Sequence, residues 1–370
     1  MRALMVLGRS TGGIGAHVGA LAEGLRRLGD DVRVVTDHST AEHFGWSEAE
    51  HLWPLRSGAG ILRAPIDWHL VMRRASAVDV VHAHGHQAAV VAAVAVMRAR
   101  PRPRLVVSLH NDLPPNARRG PGARAVRWAL GQADLVTGAS RDLVELARSL
   151  GARRAELAVV ASPRVAELLE PGAVLPAASL DLLGARSRLL AGVGETADRP
   201  LVLTVSRIAP QKELHTLVAA ARASRADATW VVVGEGDAAL RHQLENEARG
   251  IRLRFVGARS DVTDWMRSAQ VFVLTSRWEA RALVVQEAMA AGLPVVAPRA
   301  GGLPDLVGDA GVLVAPGDAA AVAGAVDRLL ADPGEARRIG DLARKRAATW
   351  DTPATEARRW HERYTSLPEG

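Results

Sequence analysis

The sequence predicts an α/β protein built from two doubly wound parallel sheets, and three observations lead there. Short apolar runs alternate with helically spaced segments along the whole chain, the pattern of βαβ units. A stretch rich in proline and leucine, with few strand signals, divides that pattern into two similar halves. At 370 residues, 48% hydrophobic and 24% charged, the chain has the length and composition of two soluble domains.

The first half is expected to hold strands at 3–7, 32–36, 80–83, 105–109, 135–137 and 157–160. Val18, Leu21, Leu25 and Leu28 follow helical spacing and predict a helix over 15–28. In the second half, strands are expected at 201–205, 230–233, 253–256, 271–274, 295–297 and 312–314, with helices at 214–223, 283–290 and 319–331. Residues 162–200 read as the connection, with one or two short helices. A last helix is expected over 352–366, after Trp350-Asp351-Thr352-Pro353. The chain thus divides into an N-terminal Rossmann-like domain at 1–185 and a C-terminal one at 186–351, with the helix at about 352–370 free to pack back on the first. Folds of this kind bind ligands in a cleft outside the carboxyl ends of their strands.

No apolar run approaches the roughly 20 residues that span a bilayer. The apolar N-terminus is too short for a signal peptide and reads as a first buried strand. The absence of cysteine excludes disulfides and thiolate metal sites, and agrees with a cytoplasmic protein. Residues 1–190 hold 24 Lys and Arg against 17 Asp and Glu, while residues 191–370 hold 23 against 23. The whole excess charge therefore lies in the first half, which could meet nucleic acid, an anionic membrane surface or a phosphorylated substrate, or simply be the solvated surface of an arginine-rich protein. Nucleic acid is not among the expected partners.

The residues most able to do chemistry lie in the second half. Only two of the 47 basic residues are lysines, Lys212 and Lys345. Lys212 stands with Arg207 in Val205-Ser206-Arg207-Ile208-Ala209-Pro210-Gln211-Lys212, between a strand and a helix. Two cations beside a helix N-terminus make an anion site, because unpaired N–H groups and the helix dipole act in the same sense. Lysine is a compact charge with rotating donors, suited to a diphosphate in a tight pocket. Glu279 precedes the helix at 283–290, and Glu287 sits inside it among small residues, where a carboxylate can accept both hydroxyls of a ribose. Salt bridges Arg207–Glu279 and Lys212–Glu287 are the purely structural alternative.

The first half carries weaker signals. Thr11-Gly12-Gly13-Ile14-Gly15-Ala16-His17 follows the first strand, and Gly13 and Gly15 would let a backbone approach a phosphate or sugar. Asp37, ending the second strand, imitates the acidic ribose contact of a dinucleotide site, but Val18 occupies the third glycine place. His82, His84 and His86 alternate and would share a face in an extended strand. With no carboxylate or cysteine close by in sequence, they read as polar lining, and no metal site is expected. His110 follows the fourth strand. Arg118-Arg119-Gly120-Pro121-Gly122-Ala123-Arg124-Ala125-Val126-Arg127-Trp128-Ala129-Leu130, joined by Arg98, Arg100, Arg102 and Arg104, leaves room for peripheral contact with an anionic membrane, at the inner surface. A solvated helix packing Val126 and Leu130 inward accounts for the same pattern.

Ser206-Arg207 with Lys212, Gly234-Glu235-Gly236, Glu279-x7-Glu287, Gly292-Leu293-Pro294-Val295-Val296-Ala297 and Gly301-Gly302-Leu303-Pro304-Asp305 stand in one order. In these motifs the chain resembles the retaining glycosyltransferases of family 4, which have the GT-B fold. The resemblance implies a metal-independent hexosyltransferase, requiring no cofactor, that moves a sugar from a nucleoside diphosphate (UDP-, GDP- or another) to an acceptor hydroxyl. It implies that Arg207 and Lys212 hold the diphosphate with the helix N-terminus at Ala282, Leu283 and Val284. Glu287 would hold the ribose, the base would lie near Gly234, Glu235 and Gly236, and Glu279 and His110 would meet the transferred sugar. The acceptor, whether glycan, lipid-linked or a small molecule, would dock on the N-terminal domain.

The chain departs from the family's pattern in three places. Ala280-Arg281-Ala282 replaces the usual glycines or prolines, Glu213 stands where glycine is common, and Ala161-Ser162-Pro163-Arg164 lacks an Asn-Gly pair. The first change motivates an alternative, a catalytically silent nucleotide-sugar-binding partner subunit. A nucleotide-sugar 2-epimerase of the same fold is less compatible with the Glu-x7-Glu block.

Overall fold

Strand β1 (Arg2–Leu7) is buried from Ala3 onward on both faces, which requires helices above and below it. The computed structural model describes residues 1–55, 63–113, 120–158, 160–170 and 180–368. The contacts divide the chain into two units, residues 1–163 with 351–370, and residues 164–350. The expected boundary lay at 185/186, whereas the chain leaves the first unit at Pro163.

In unit 1, β1 is followed by α1 (Gly13–Arg27), β2 (Asp31–Val35), α2 (His38–Phe44), α3 (Ala64–Ala75), β3 (Val80–His84) and α4 (His86–Arg98). Then come β4 (Arg104–Leu109), α5 (Pro121–Gln132), β5 (Leu135–Gly138), α6 (Arg141–Ser149) and β6 (Ala155–Leu157). The sheet is parallel throughout, in the order β2-β1-β3-β4-β5-β6. The last strand starts earlier than expected because Ala155, Glu156 and Leu157 pair with Val136, Thr137 and Gly138; residue 159 of the expected strand lies outside the described residues.

Unit 2 opens with two helices, α7 (Val165–Leu169) and α8 (Leu180–Ala191). Val165, Leu168 and Leu190 are buried in its core, so the proline-rich connection is part of this unit. There follow β7 (Leu201–Val205), a 3-10 turn (Pro210–Lys212), α9 (Leu214–Ala223), β8 (Thr229–Val233), α10 (Ala238–Glu247), β9 (Leu253–Phe255) and α11 (Val262–Ser268). The unit ends with β10 (Val271–Val273), α12 (Leu283–Ala290), β11 (Val295–Pro298), α13 (Leu303–Val307), β12 (Val312–Val314), α14 (Ala319–Ala331) and α15 (Pro333–Ala347). Its parallel sheet has the order β12-β11-β10-β7-β8-β9, with an apolar core on each face.

The final helix, α16 (Pro353–Ser366), returns to unit 1. Thr352 and Thr355 cap its N-terminus reciprocally, and Pro353 occupies the first turn, where its missing N–H costs nothing. Its buried face, Ala357, Trp360 and Tyr364, joins the core formed by Val18, Leu21 and Leu25 of α1.

Candidate functional site

In unit 2 the site grows from the carboxyl ends of β7, β8 and β10. After β8, Gly234 has φ 140, and a Cβ there would fall 2.0 Å from the Ser206 carbonyl oxygen. A Cβ on Gly236 would fall 2.1 Å from the Ile208 carbonyl oxygen. These two glycines let Gly234-Glu235-Gly236 run against the chain carrying Arg207, where Ile208 N–H donates to the Glu235 carbonyl at 2.9 Å. Arg207 is exposed, and its guanidinium makes no ion pair or hydrogen bond among the described residues.

Lys212 ends the 3-10 turn, and its Nζ donates to Glu279 Oε1 at 2.5 Å. Both side chains are largely buried, 14% and 16% exposed, so the pair is shielded from bulk screening. Thr275 Oγ1 donates to the Lys212 carbonyl at 3.0 Å, and Arg277 N–H to the Gln211 carbonyl at 2.9 Å, fixing the turn to the end of β10. Gly302 N–H donates to the Glu279 carbonyl at 2.8 Å, and a Cβ on Gly301 would fall 2.1 Å from that oxygen. The Gly301-Gly302 pair therefore seats Glu279, a role that the motif order alone did not disclose.

Neither salt bridge of the purely structural alternative is present among the described residues. Lys212 pairs with Glu279, whereas Glu287, 3% exposed, lies 3.5 Å from Nη1 of Arg164. The reason is position: Glu279 lies in the loop against the Lys212 turn, while Glu287 is inside α12, which packs against α7 just after Arg164. Ala282 begins α12 without a side-chain cap, and no acidic residue lies in the first turn. The N–H groups of Leu283 and Val284 are thus directed outward at a partly exposed helix start.

The departures from the family's pattern acquire physical explanations. Glu213 has φ 48 and is the one non-glycine residue with a left-handed backbone among the described residues, so the common glycine suits its backbone. Ala280 and Ala282 accordingly take conformations alanine accepts, with Ala282 at φ −66. Arg281 places its guanidinium carbon 5.4 Å from the centre of the Trp350 ring, a cation–π contact.

Unit 1 brings together residues that the sequence reading kept apart. His110 is 8% exposed, and its Nε2 lies 3.1 Å from Nδ1 of His84. His17 of α1 meets both, with ring centres 5.9 Å from His84 and 5.3 Å from His110. Burial lowers all three from the ordinary histidine range, His17 and His84 well below it and His110 to about 4. His82 is committed elsewhere: Nδ1 is 2.6 Å from the Tyr364 hydroxyl and Nε2 is 2.7 Å from Ser108 Oγ. His86 starts α4, so the strand alternation stops at His84.

Other expectations in unit 1 are corrected. A Cβ on Gly15 would fall 2.1 Å from the Phe44 ring, so its missing side chain makes room for packing, while Gly13 begins α1 in the open. Asp37 caps α2, accepting from Ser39 N–H at 3.0 Å, which accounts for an acidic residue at that place. The basic patch loosens: Arg102 pairs with Asp134 at 3.2 Å, and Arg104 donates to the Tyr364 carbonyl at 3.1 Å. On α5, Val126 and Leu130 are buried while Arg124, Arg127 and Trp128 are exposed; Arg118 and Arg119 lie outside the described residues. Among the described residues, no helix is long and apolar enough to cross a membrane.

Two six-stranded parallel sheets covered by helices, one of them with Lys212 and Glu279 paired beyond its strand ends, define a GT-B protein. The descriptions "Glycosyltransferase Family 4" and "Glycosyl transferases group 1" match residues 11–165 and 199–332. The glycogen synthase of Mycobacterium tuberculosis is 30% identical over 391 residues, covering 93% of this chain and 89% of that protein. The sulfoquinovosyl transferase SQD2 of Arabidopsis thaliana is 33% identical over 176 residues, 46% of this chain but only 34% of that longer protein. Among solved structures, Anabaena HepE in complex with UDP and glucose superposes with a TM-score of 0.84 at 23% identity, covering 99% of this chain and 100% of that one, a likeness of fold. The chain belongs to the family 4, group 1 glycosyltransferases.

Proposed function

We propose that the protein is a retaining hexosyltransferase that takes its sugar from a nucleoside diphosphate and passes it to an acceptor hydroxyl. The observation that carries this reading is the Lys212–Glu279 pair at 2.5 Å, with Arg207 left unpaired among the described residues on the same loop. An ammonium has three donors, and Glu279 uses one, so Lys212 can hold a diphosphate oxygen while it stays fixed by the carboxylate. Arg207, Lys212 and the uncapped start of α12 would neutralise the charge that develops on the leaving diphosphate, with no metal ion needed there. Glu287 would accept from the ribose hydroxyls, and the base would lie along Gly234–Gly236. In the transfer, the bond from the anomeric carbon to the diphosphate oxygen breaks and a bond to the acceptor oxygen forms on the same face. The acceptor proton passes to the departing diphosphate. Glu279 and His110 would orient the sugar rather than attack it.

HepE is a relative in fold solved with UDP and glucose, which supports a nucleotide-sugar donor here. Arg281, its guanidinium over the Trp350 ring, supports an active enzyme over a silent partner subunit, because that contact gives the charge a partner within unit 2. The exposed face of Arg124, Arg127 and Trp128 is the part of unit 1 suited to an anionic lipid surface.

A thermal-shift series with UDP, GDP, dTDP and ADP tests the donor site, since a ligand that binds only the folded state raises the midpoint. One nucleotide should stabilise the wild type and lose its effect in Arg207→Ala and Lys212→Ala. The matching sugar donor should then give a product whose anomeric configuration equals the donor's. A well-folded protein that none of the four nucleotides shifts would overturn the reading, and an inverted product would overturn retention.

A further inference from the structure

We propose that His17, His84 and His110 form a binding site for one divalent transition-metal ion of the zinc type. One nitrogen from each of the three rings lies within 4.8 Å of the others. His84 Nδ1 and His110 Nε2 are already 3.1 Å apart, close to the ~3.3 Å edge of a tetrahedron whose metal–nitrogen bonds are 2.0–2.1 Å. The third ring would have to close on that edge from within 4.8 Å. Their origins are rigid, since His84 ends β3, His110 follows β4 and His17 lies in the second turn of α1.

Unmet hydrogen bonding points to a ligand. Both ring nitrogens of His17 and Nε2 of His84 lack a hydrogen-bond partner among the described residues, although His17 is 1% and His84 3% exposed. Buried polar atoms are seldom left without a hydrogen-bond partner, so three in one place are unusual. An ion held by lone pairs of neutral imidazoles at His84 Nδ1, His110 Nε2 and His17 Nε2 would meet the need of His17 Nε2, each ring keeping its proton on the other nitrogen. Imidazole donors favour zinc, cobalt, nickel or copper over magnesium or calcium.

The surroundings resemble an outer shell. Glu356 Oε1 lies 3.5 Å from His17 Nδ1, and its Oε2 accepts from Ala161 N–H at 3.2 Å. The Glu356 carboxyl, its Oε1 accepting from Nδ1, would leave Nε2 of His17 for the ion and fix the ring's orientation. His82 takes no part, because both its nitrogens are engaged. The ion would compete with the sugar for His110, so its binding should inhibit transfer; that consequence alone rests on the role given to His110 above.

The experiment needs no donor or acceptor. Full-length, tag-free protein is stripped with a chelator, then titrated with Co2+ while the visible spectrum is followed. One equivalent should give the intense bands of a tetrahedral site, and Zn2+ should displace them. His17→Ala and His84→Ala should abolish the bands, with His17→Phe as a volume-keeping substitute if the alanine variant fails to fold. Glu356→Gln should weaken binding about 10- to 100-fold. His38→Ala should leave the spectrum unchanged, although His38 and His51 lie 3.1 Å apart at the surface. Weak octahedral-type absorption from the wild type overturns the site whatever the variants do. So do tetrahedral bands that persist in folded His17 and His84 variants.

Discussion

Glu356 and His17 face each other across 3.5 Å inside unit 1, and neither is charged at neutral pH. Burial raises the Glu356 carboxyl to about 8, against a lesser pull from the Ala161 N–H, and burial lowers His17. The contact is therefore a neutral acid beside a neutral imidazole. It is not an ion pair.

That neutrality has a signed consequence for stability. Between the ordinary carboxylate value and about 8, folded Glu356 keeps a proton that the unfolded chain releases, so stability falls as pH rises through that window. Glu356→Gln should remove this loss, gaining on the wild type by a few kcal/mol from pH 5 to pH 8. Urea titrations across pH with chelator present measure it. Equal pH slopes in the two proteins would refute the assignment.

The buried histidines act in the opposite sense at lower pH. His17, His82, His84 and His110 resist protonation when folded, so the unfolded chain binds more protons below the ordinary histidine value. Stability should fall as pH drops from about 6.5 toward 4. A midpoint of urea unfolding that stays flat over that range would show the cluster to be more solvated than its burial indicates.

Tyr364→Phe should cost about 1–3 kcal/mol, because it leaves Nδ1 of buried His82 without its 2.6 Å partner. The loss should appear in chemical denaturation with the m-value unchanged. Wild-type stability in this variant would mean that the hydroxyl contributes little.

Glu213→Gly should raise stability by up to about 1 kcal/mol, since φ 48 suits glycine better than a side-chain-bearing residue. The exposed Arg277 partner lost in the exchange offsets only a small part. A clear destabilisation would show that the Glu213–Arg277 contact outweighs the backbone strain.

Arg281→Ala should lower stability by about 0.5–2 kcal/mol through the lost contact with Trp350. Nucleotide affinity, measured by calorimetry, should change less than twofold. A tenfold loss of affinity would instead place Arg281 at the donor.

Most strands were legible as short apolar runs, and Leu201–Val205 and the half-buried edge strand Val312–Val314 were bounded to the residue. Lys212, Glu279 and Glu287 were legible as residues, but their pairing was not. Sequence order does not tell which carboxylate lies in the loop beside the Lys212 turn. Gly15 misled for a related reason: a glycine left bare for a ligand and one left bare for Phe44 look alike until α2 is placed. His17, His84 and Glu356 were invisible as a group, since a sheet, α1 and α16 bring them together from distant parts of the chain. No local spacing encodes that meeting.

Unit 2 is an insertion within unit 1, because the chain returns at Asp351 to complete the body it left at Pro163. During synthesis, unit 2 can close as one continuous stretch while its host still lacks Trp360 and Tyr364. His82 must wait for a hydroxyl made 282 residues later. A chain whose synthesis stopped before Asp351 would thus carry one finished half and one open core, and the exposed half would be the earlier one made.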